Sequence, residues 1–305
     1  MDKHPFFTKL EGPYRDFIPD FQEYVLHLKG QLPSYVRINT LKIGVEEAVR
    51  FLEGEGLKTW RTPVDDMLLL EGQPRIPALS YHLGLIYPQA LSSALPVLAM
   101  DLKMGQTVLD LCAAPGGKTG HIAQLMGDSG AIVANDRKLG RVTSLMSNLK
   151  RLGITSAVVT QCRGEHFTWP SLFHRVLVDA PCSGEGKYRI DPETGQLKHA
   201  RMGRTNLPAI QKALIQRGFD MLRPGGVLIY STCTLDPEEN EGVVAHLLKK
   251  RDARLLKWRP PVESSPGLTS YMEKEYGEEL RLAHRFYPHK IGSVGFFVAK
   301  IAGRP

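Results

Sequence analysis

Two stretches of this sequence place a thiol directly after a short apolar run. Val176-Leu177-Val178 leads into Asp179-Ala180-Pro181-Cys182-Ser183-Gly184, and Val227-Leu228-Ile229-Tyr230 leads into Ser231-Thr232-Cys233-Thr234. A thiolate is a good carbon nucleophile, and covalent catalysis splits one hard step into easier ones. Carbon 5 of cytosine is a poor nucleophile, but a thiolate added to carbon 6 makes an enamine whose carbon 5 can attack an electrophilic methyl group. A carboxyl group near N3 and the 4-amino group would hold the ring and stabilise charge developing on it, which suits Asp179. A base must then remove the proton from carbon 5 and the thiol must leave, a release that a second cysteine could assist. The residues alone do not decide which of Cys182 and Cys233 attacks.

A glycine-containing loop offers the partner chemistry. Asp110-Leu111-Cys112-Ala113-Ala114-Pro115-Gly116-Gly117-Lys118-Thr119 joins an expected strand to an expected helix. Paired glycines there let backbone N–H groups approach a ligand near the positive end of the helix. The loop is not a P-loop, because Cys112 stands where Gly-x-x-x-x-Gly-Lys-Thr needs glycine, and the Gly-x-Gly-x-x-Gly dinucleotide fingerprint is absent. Ala134-Asn135-Asp136 closes the next strand and puts an acid where a ribose-binding carboxylate belongs in a doubly wound sheet. The alternative for Asp136 is a cap on the following helix.

These positions require a parallel sheet covered on both faces. The expected strands are 107–111, 131–135, 157–160, 176–178, 227–230 and 296–299, with helices at 120–126, 141–152 and 207–222. In such sheets ligands lie beyond the carboxyl ends of the strands. Residues 35–90 read as a smaller α/β unit, with strands at 35–38 and 57–61 and a helix at 45–52 that Gly54 and Gly56 stop.

The 305 residues, 42% of them hydrophobic, can bury one large domain and a smaller one. A net charge of +7 favours a polyanionic partner. The four cysteines form no Cys-x-x-Cys pair, so neither a metal site nor a disulfide framework is expected. No apolar run is long enough to span a membrane, and the opening Met1-Asp2-Lys3-His4-Pro5 lacks a secretory pattern, so a cytoplasmic location is expected.

Several separated motifs resemble the NOL1/NOP2/Sun family of RNA 5-methylcytosine methyltransferases. They are Val36-Arg37-Ile38-Asn39-Thr40-Leu41, Tyr87-Pro88-Gln89-Ala90-Leu91-Ser92-Ser93, the loop from Cys112 to Thr119, and Asp179-Ala180-Pro181-Cys182-Ser183-Gly184-Glu185-Gly186. Tyr230-Ser231-Thr232-Cys233-Thr234-Leu235, Glu238-Glu239-Asn240-Glu241, Arg285-Phe286-Tyr287-Pro288-His289 and Gly295-Phe296-Phe297 complete an ordered set covering nearly the whole chain. The resemblance implies a Rossmann-type class I methyltransferase sheet over residues 91–305. It also implies a small N-terminal α/β (RRM-like) RNA-contacting domain over residues 1–90. It assigns the nucleophile to Cys233 and product release to Cys182, with Lys118 and Asp179 close to the target base. S-adenosylmethionine would lie against Cys112, Ala113, Ala114, Pro115, Gly116, Gly117, Lys118, Asp136, Arg141, Arg163 and Asp179. One position departs from the family pattern: Arg163 stands where an acid usually contacts the cofactor adenine, with Glu165 two residues on as a substitute.

The implied partner is RNA, ribosomal or transfer, bound by a monomer without a metal or a membrane, through basic surface that includes Arg37, Lys42 and Lys187-Tyr188-Arg189. Two other classes compete. An exocyclic-amine methyltransferase would carry Asn/Asp-Pro-Pro-Tyr/Phe after the fourth strand, where this chain has Asp179-Ala180-Pro181-Cys182. A catalytically silent RNA-binding factor would have no use for both cysteines.

Overall fold

The structure, a computed structural model, describes residues 5–74, 79–191, 193–198 and 206–303. Four strands, β1 (Ser34–Ile38), β2 (Thr59–Arg61), β3 (Met67–Leu70) and β4 (Ile86–Pro88), form an antiparallel sheet in the order β2-β3-β1-β4. Helices Val45–Gly54 and Leu79–His82 interrupt them, giving a β-α-β-β-α-β unit. Ala48 and Leu52 of the longer helix pack on Val36, Ile38, Leu68 and Ile86. Sequence reading missed β3 and β4, because each is short and neither alternates apolar with polar residues.

The large sheet begins with β5 (Thr107–Asp110), β6 (Ala131–Asn135), β7 (Ala157–Thr160) and β8 (Phe173–Asp179). A small hairpin of β9 (Arg189–Ile190) and β10 (Leu197–Lys198) precedes β11 (Leu222–Thr232). There follow β12 (Ala253–Leu255), β13 (Ser265–Pro266), a hairpin of β14 (Ser270–Tyr271) and β15 (Lys274–Glu275), β16 (His284–Phe286) and β17 (Phe296–Gly303). The sheet order is β13-β16-β17-β11-β8-β5-β6-β7, with β12 also on β17. Strands β11, β8, β5, β6 and β7 run parallel, and β17 is antiparallel to β11.

Side-chain alternation explains the two covered faces. Val176, Val178, Leu228 and Tyr230 share one core with Leu214, Ile215, Val243 and Leu247 of helices Leu207–Asp220 and Glu241–Lys250. Their neighbours Leu177 and Ile229 face the opposite core with Ile122 and Ala123 of helix Gly117–Leu125. The chain order reverses between β5 and β8, the place where doubly wound sheets open a crevice.

The segment expected as one unit up to residue 90 contains two pieces. Helices Pro5–Glu11 and Phe21–Leu28 pack through Phe6, Leu10, Tyr24 and Leu28 with Tyr188, Leu235 and Tyr287 of the large body, away from the small sheet's core. The small sheet is fastened separately. Arg37 Nη1 donates to Gln89 Oε1 at 2.6 Å and to the Gly117 carbonyl at 2.5 Å. Asn39 Nδ2 donates to the Gly84 and Leu152 carbonyls, both at 2.9 Å. Among the described residues no helix is long and apolar enough to cross a membrane.

Candidate active site

The turn after β5 is held by backbone and side-chain bonds. Ala113 N–H donates to the Asn135 carbonyl at 2.8 Å, Asn148 Nδ2 donates to the Pro115 carbonyl at 2.9 Å, and the Arg141 guanidinium donates to the Ala114 carbonyl. Gly116 has φ of +103°, a conformation that favours glycine, while a Cβ there would only displace the end of the Leu145 side chain, 2.9 Å away. Helix Gly117–Leu125 starts immediately afterwards.

Two connected chambers lie beyond the strand ends. The first is lined by charged Asp136, Arg141 and Glu165 and by apolar Leu111, Ile210 and Leu214. The second is lined by Tyr87, Gln89, Ser93, Asp110, Lys118 and Phe296. Cys112, Ala114, Asp179, Lys187 and Cys233 border both. A small molecule in the first chamber and a flat ring in the second would therefore meet at Asp179 and Cys233.

The residues expected to hold a cofactor are not all equivalent. Asp136 is buried at the end of β6, its Oδ1 accepting the Lys138 N–H at 3.1 Å while Oδ2 lies 3.3 Å from the Arg141 guanidinium. That bond closes a turn onto Lys138, the residue before helix Leu139–Leu152, and makes no side-chain cap on the helix, so the capping alternative is not met while the acid does border the chamber. Ala113, Pro115, Gly117 and Lys118 line the second chamber, and Gly116 acts through the turn's shape. Arg163 lines neither chamber. Its side chain is 63% exposed and pairs with Glu165 at 2.7 Å, leaving Glu165 on the chamber wall.

The two thiols come together. Cys182 follows β8, Cys233 follows β11, and their Sγ atoms are 3.4 Å apart without a covalent bond. Asp179 Oδ2 accepts from Lys118 Nζ at 2.7 Å and Oδ1 from Ser231 Oγ at 2.8 Å, while Lys118 also donates to Ser93 Oγ at 2.9 Å. Behind Cys182, Glu239 accepts the Ser183 N–H at 3.0 Å and Gln211 Nε2 at 2.7 Å.

Electrostatics separates the cysteines that the sequence left equivalent. A hydrogen bond from the Cys182 thiol lowers the Cys233 pKa against the opposing effect of burial, and the Lys187 and Lys118 cations help. The same contact, with burial and the Glu239 carboxylate, pushes the Cys182 thiol well up. Burial also raises the Cys112 and Cys162 thiols, and Cys162 Sγ donates to Asn135 Oδ1 at 3.2 Å. Cys233 is thus the one cysteine of the four whose thiolate is favoured.

Part of the expected basic surface is corrected by burial. Arg37 and Arg189 are 1% and 3% exposed, Arg37 clamping the small sheet and Arg189 donating to the Tyr188 carbonyl. Tyr188 is buried as well, and Lys42 Nζ donates to the Leu83 and Arg151 carbonyls at 2.8 and 2.9 Å. Lys187 is exposed and borders both chambers. Asp110 and Ser231 carried no assigned role in the sequence. Their partners, Thr119 and Asp179, become visible only when the strand ends are side by side.

The sheet order and the crevice define a class I methyltransferase fold. Residues 97–302 match the family model described as 16S rRNA methyltransferase RsmB/F. A Pyrococcus abyssi protein named tRNA (cytosine(49)-C(5))-methyltransferase is 38% identical over 93% of this chain and 92% of its own length. The crystal structure of a methyltransferase homolog protein from Pyrococcus horikoshii superposes with a TM-score of 0.84 at 33% identity, covering 99% of this chain and 96% of that one. NSun6 from Pyrococcus horikoshii with SFG, an S-adenosylmethionine analogue, gives 0.80 at 25% identity over 96% of each chain. The chain belongs to the NOL1/NOP2/Sun family of RNA cytosine-C5 methyltransferases. It spans less than two thirds of several other curated relatives, including 37% of the human 28S rRNA (cytosine(4447)-C(5))-methyltransferase.

Proposed function

We propose that this chain methylates carbon 5 of a cytosine in ribosomal or transfer RNA, with S-adenosylmethionine as donor and Cys233 as nucleophile. The observation that carries this reading is the thiol pair 3.4 Å apart beside the boundary of two chambers, with only Cys233 biased toward thiolate. The first chamber fits the cofactor chemically. Asp136 and Glu165 offer carboxylates to ribose hydroxyls, and Leu111, Ile210 and Leu214 offer an apolar wall to adenine. Across the boundary at Cys112 and Ala114, Asp110 of the second chamber, its buried Oδ1 without a partner among the described residues, offers an acceptor to an ammonium group. Bound there, S-adenosylmethionine supplies an electrophilic methyl group.

The chain's own groups do the rest. The Cys233 thiolate forms a bond to carbon 6, which makes carbon 5 nucleophilic. Asp179, fixed by Lys118 and Ser231, accepts from the 4-amino group and stabilises the charged ring. Lys118 places a cation beside the same ring. After transfer a water molecule takes the proton from carbon 5, the electrons of that bond restore the double bond between carbons 5 and 6, and Cys233 leaves as the thiolate, with Cys182 assisting that release.

The two cysteines should fail at different steps. On a denaturing gel with labelled RNA from cells lacking the gene, Cys182→Ala is expected to give a shifted, denaturant-resistant band. Cys233→Ala should give no band and no methylation while keeping cofactor binding, and the double variant should lose the band. A band with Cys233→Ala instead would reverse the roles.

A further inference from the structure

Three residues past each active-site cysteine stands an acid, Glu185 after Cys182 and Asp236 after Cys233. Both acids are held by one cation from the other end of the chain. Lys9, in helix Pro5–Glu11, donates to Glu185 Oε1 at 2.8 Å and to Asp236 Oδ2 at 2.5 Å. Tyr14 donates to the other Glu185 oxygen, and Lys9 lies 5.7 Å from the Tyr14 ring centroid. Glu185 is 4% exposed, and burial pushes its pKa up to about 7. Lys9 stays charged because Glu185 and Asp236 together outweigh the cost of its burial.

The loop bearing Glu185 also carries the Cys233 environment. Gly186 N–H donates to the Cys233 carbonyl at 3.0 Å, and Gly295 N–H to the Gly186 carbonyl at 3.1 Å. Lys187, next along, faces the Cys233 thiol together with Cys182, Asp179 and Lys118. Without Lys9, two carboxylates would face each other under the thiol pair with no cation between them, and like charges held together in a low-dielectric site repel.

We propose that Lys9 is a positioning residue that fixes the spacing of Cys182 and Cys233 by clamping the two loops that carry them. This rests on the assignment of Cys233 as nucleophile, but its test does not need the reaction. Helix Pro5–Glu11 then serves the active site from outside it, touching neither chamber.

Iodoacetamide alkylation of Cys233, followed peptide by peptide by mass spectrometry over roughly pH 5 to 10, reads its titration directly. In Lys9→Met the loops part, the Cys182 hydrogen bond and the Lys187 cation withdraw, and the midpoint moves up. For a midpoint that rises by one unit from about 6, the Cys233 alkylation rate should fall about tenfold at pH 5, below both midpoints, and about twofold at pH 7. Lys9→Arg should restore it. Methylation by Lys9→Met should lose kcat with little change in KM for S-adenosylmethionine. A folded Lys9→Met with an unchanged midpoint overturns the proposal, as does a lowered melting temperature with no shift in the profile. If Lys9→Met does not fold, Asp236→Asn, which frees one arm of the clamp, decides in the same way. Normal methylation by Cys233→Ala would instead overturn the nucleophile assignment and leave the alkylation result standing on its own.

Discussion

Asp110 ends β5 with Thr119 Oγ1 donating to Oδ2 at 2.7 Å and no partner for Oδ1 among the described residues. Burial pushes its pKa up to about 7, further raised by Asp179 and partly offset by Thr119 and Lys118. A carboxyl whose folded pKa lies above its unfolded value binds its proton more tightly in the folded state. Stability from this group is therefore full below about pH 4 and lost as pH rises toward 7. Asp110→Asn removes the ionisable group and should melt above the parent at pH 8, on the order of 2 kcal/mol more stable, with the gap closing toward pH 4. The same change should weaken S-adenosylmethionine binding, since it removes the acceptor that the second chamber offers to the cofactor's ammonium group. Melting curves taken across that pH range in the absence of cofactor check the first part, and a constant gap would mean the carboxyl is not desolvated.

At the scale of elements, the small sheet and the cofactor helix meet through Arg37 on β1, whose guanidinium reaches the Gly117 carbonyl at the start of helix Gly117–Leu125. Arg37→Met would leave that carbonyl and Gln89 without their donor. Loss of one partner of buried, charge-assisted bonds should cost about 2–3 kcal/mol, read as a lower melting temperature. Arg37 also marks the limit of what the sequence told. Six of the nine strands of the large sheet, three of its helices and the residues after those strands were legible, because a buried parallel strand is a short apolar run and a covering helix has its own period, whereas β12, β13, β16 and helix Glu241–Lys250 went unread. The β3 and β4 strands were not, since Met67–Leu70 and Ile86–Pro88 owe their pairing to β1 and not to local pattern. Helices Pro5–Glu11 and Phe21–Leu28 were equally silent, their aromatic residues meaning something only against Tyr188 and Tyr287. Arg37 reads as surface charge from composition, and its burial depends on Gln89 and Gly117, 52 and 80 residues away. For the site, Cys182, Cys233 and Asp179 were singled out by their place after the strands and Lys118 by the resemblance, and the structure brings the four together. The choice between the two thiols on chemical grounds was not, since Lys187 and Glu239 bias them from opposite sides only in three dimensions.

Over the whole molecule the charge excess of +7 has to act on a polyanion through residues that water can reach. Lys187 is exposed at the boundary of both chambers, and Arg137, Lys138 and Arg141 are exposed around the first. Phosphate contacts by such side chains release condensed counterions, so the logarithm of affinity falls linearly with that of salt, by about 0.7 per contact on single-stranded RNA. Affinity for tRNA purified from cells lacking the gene should therefore drop steeply as salt rises. Lys187→Ala should reduce the slope by about 0.7, whereas Arg37→Met, buried and committed to Gln89 and Gly117, should leave the slope at the parent value. Filter binding at a series of potassium chloride concentrations, run on all three proteins below the melting temperature of the weakest, separates these cases. An unchanged slope in Lys187→Ala would remove that lysine from the phosphate path. A flat salt dependence of the parent would move recognition from charge to base stacking and hydrogen bonds within the second chamber.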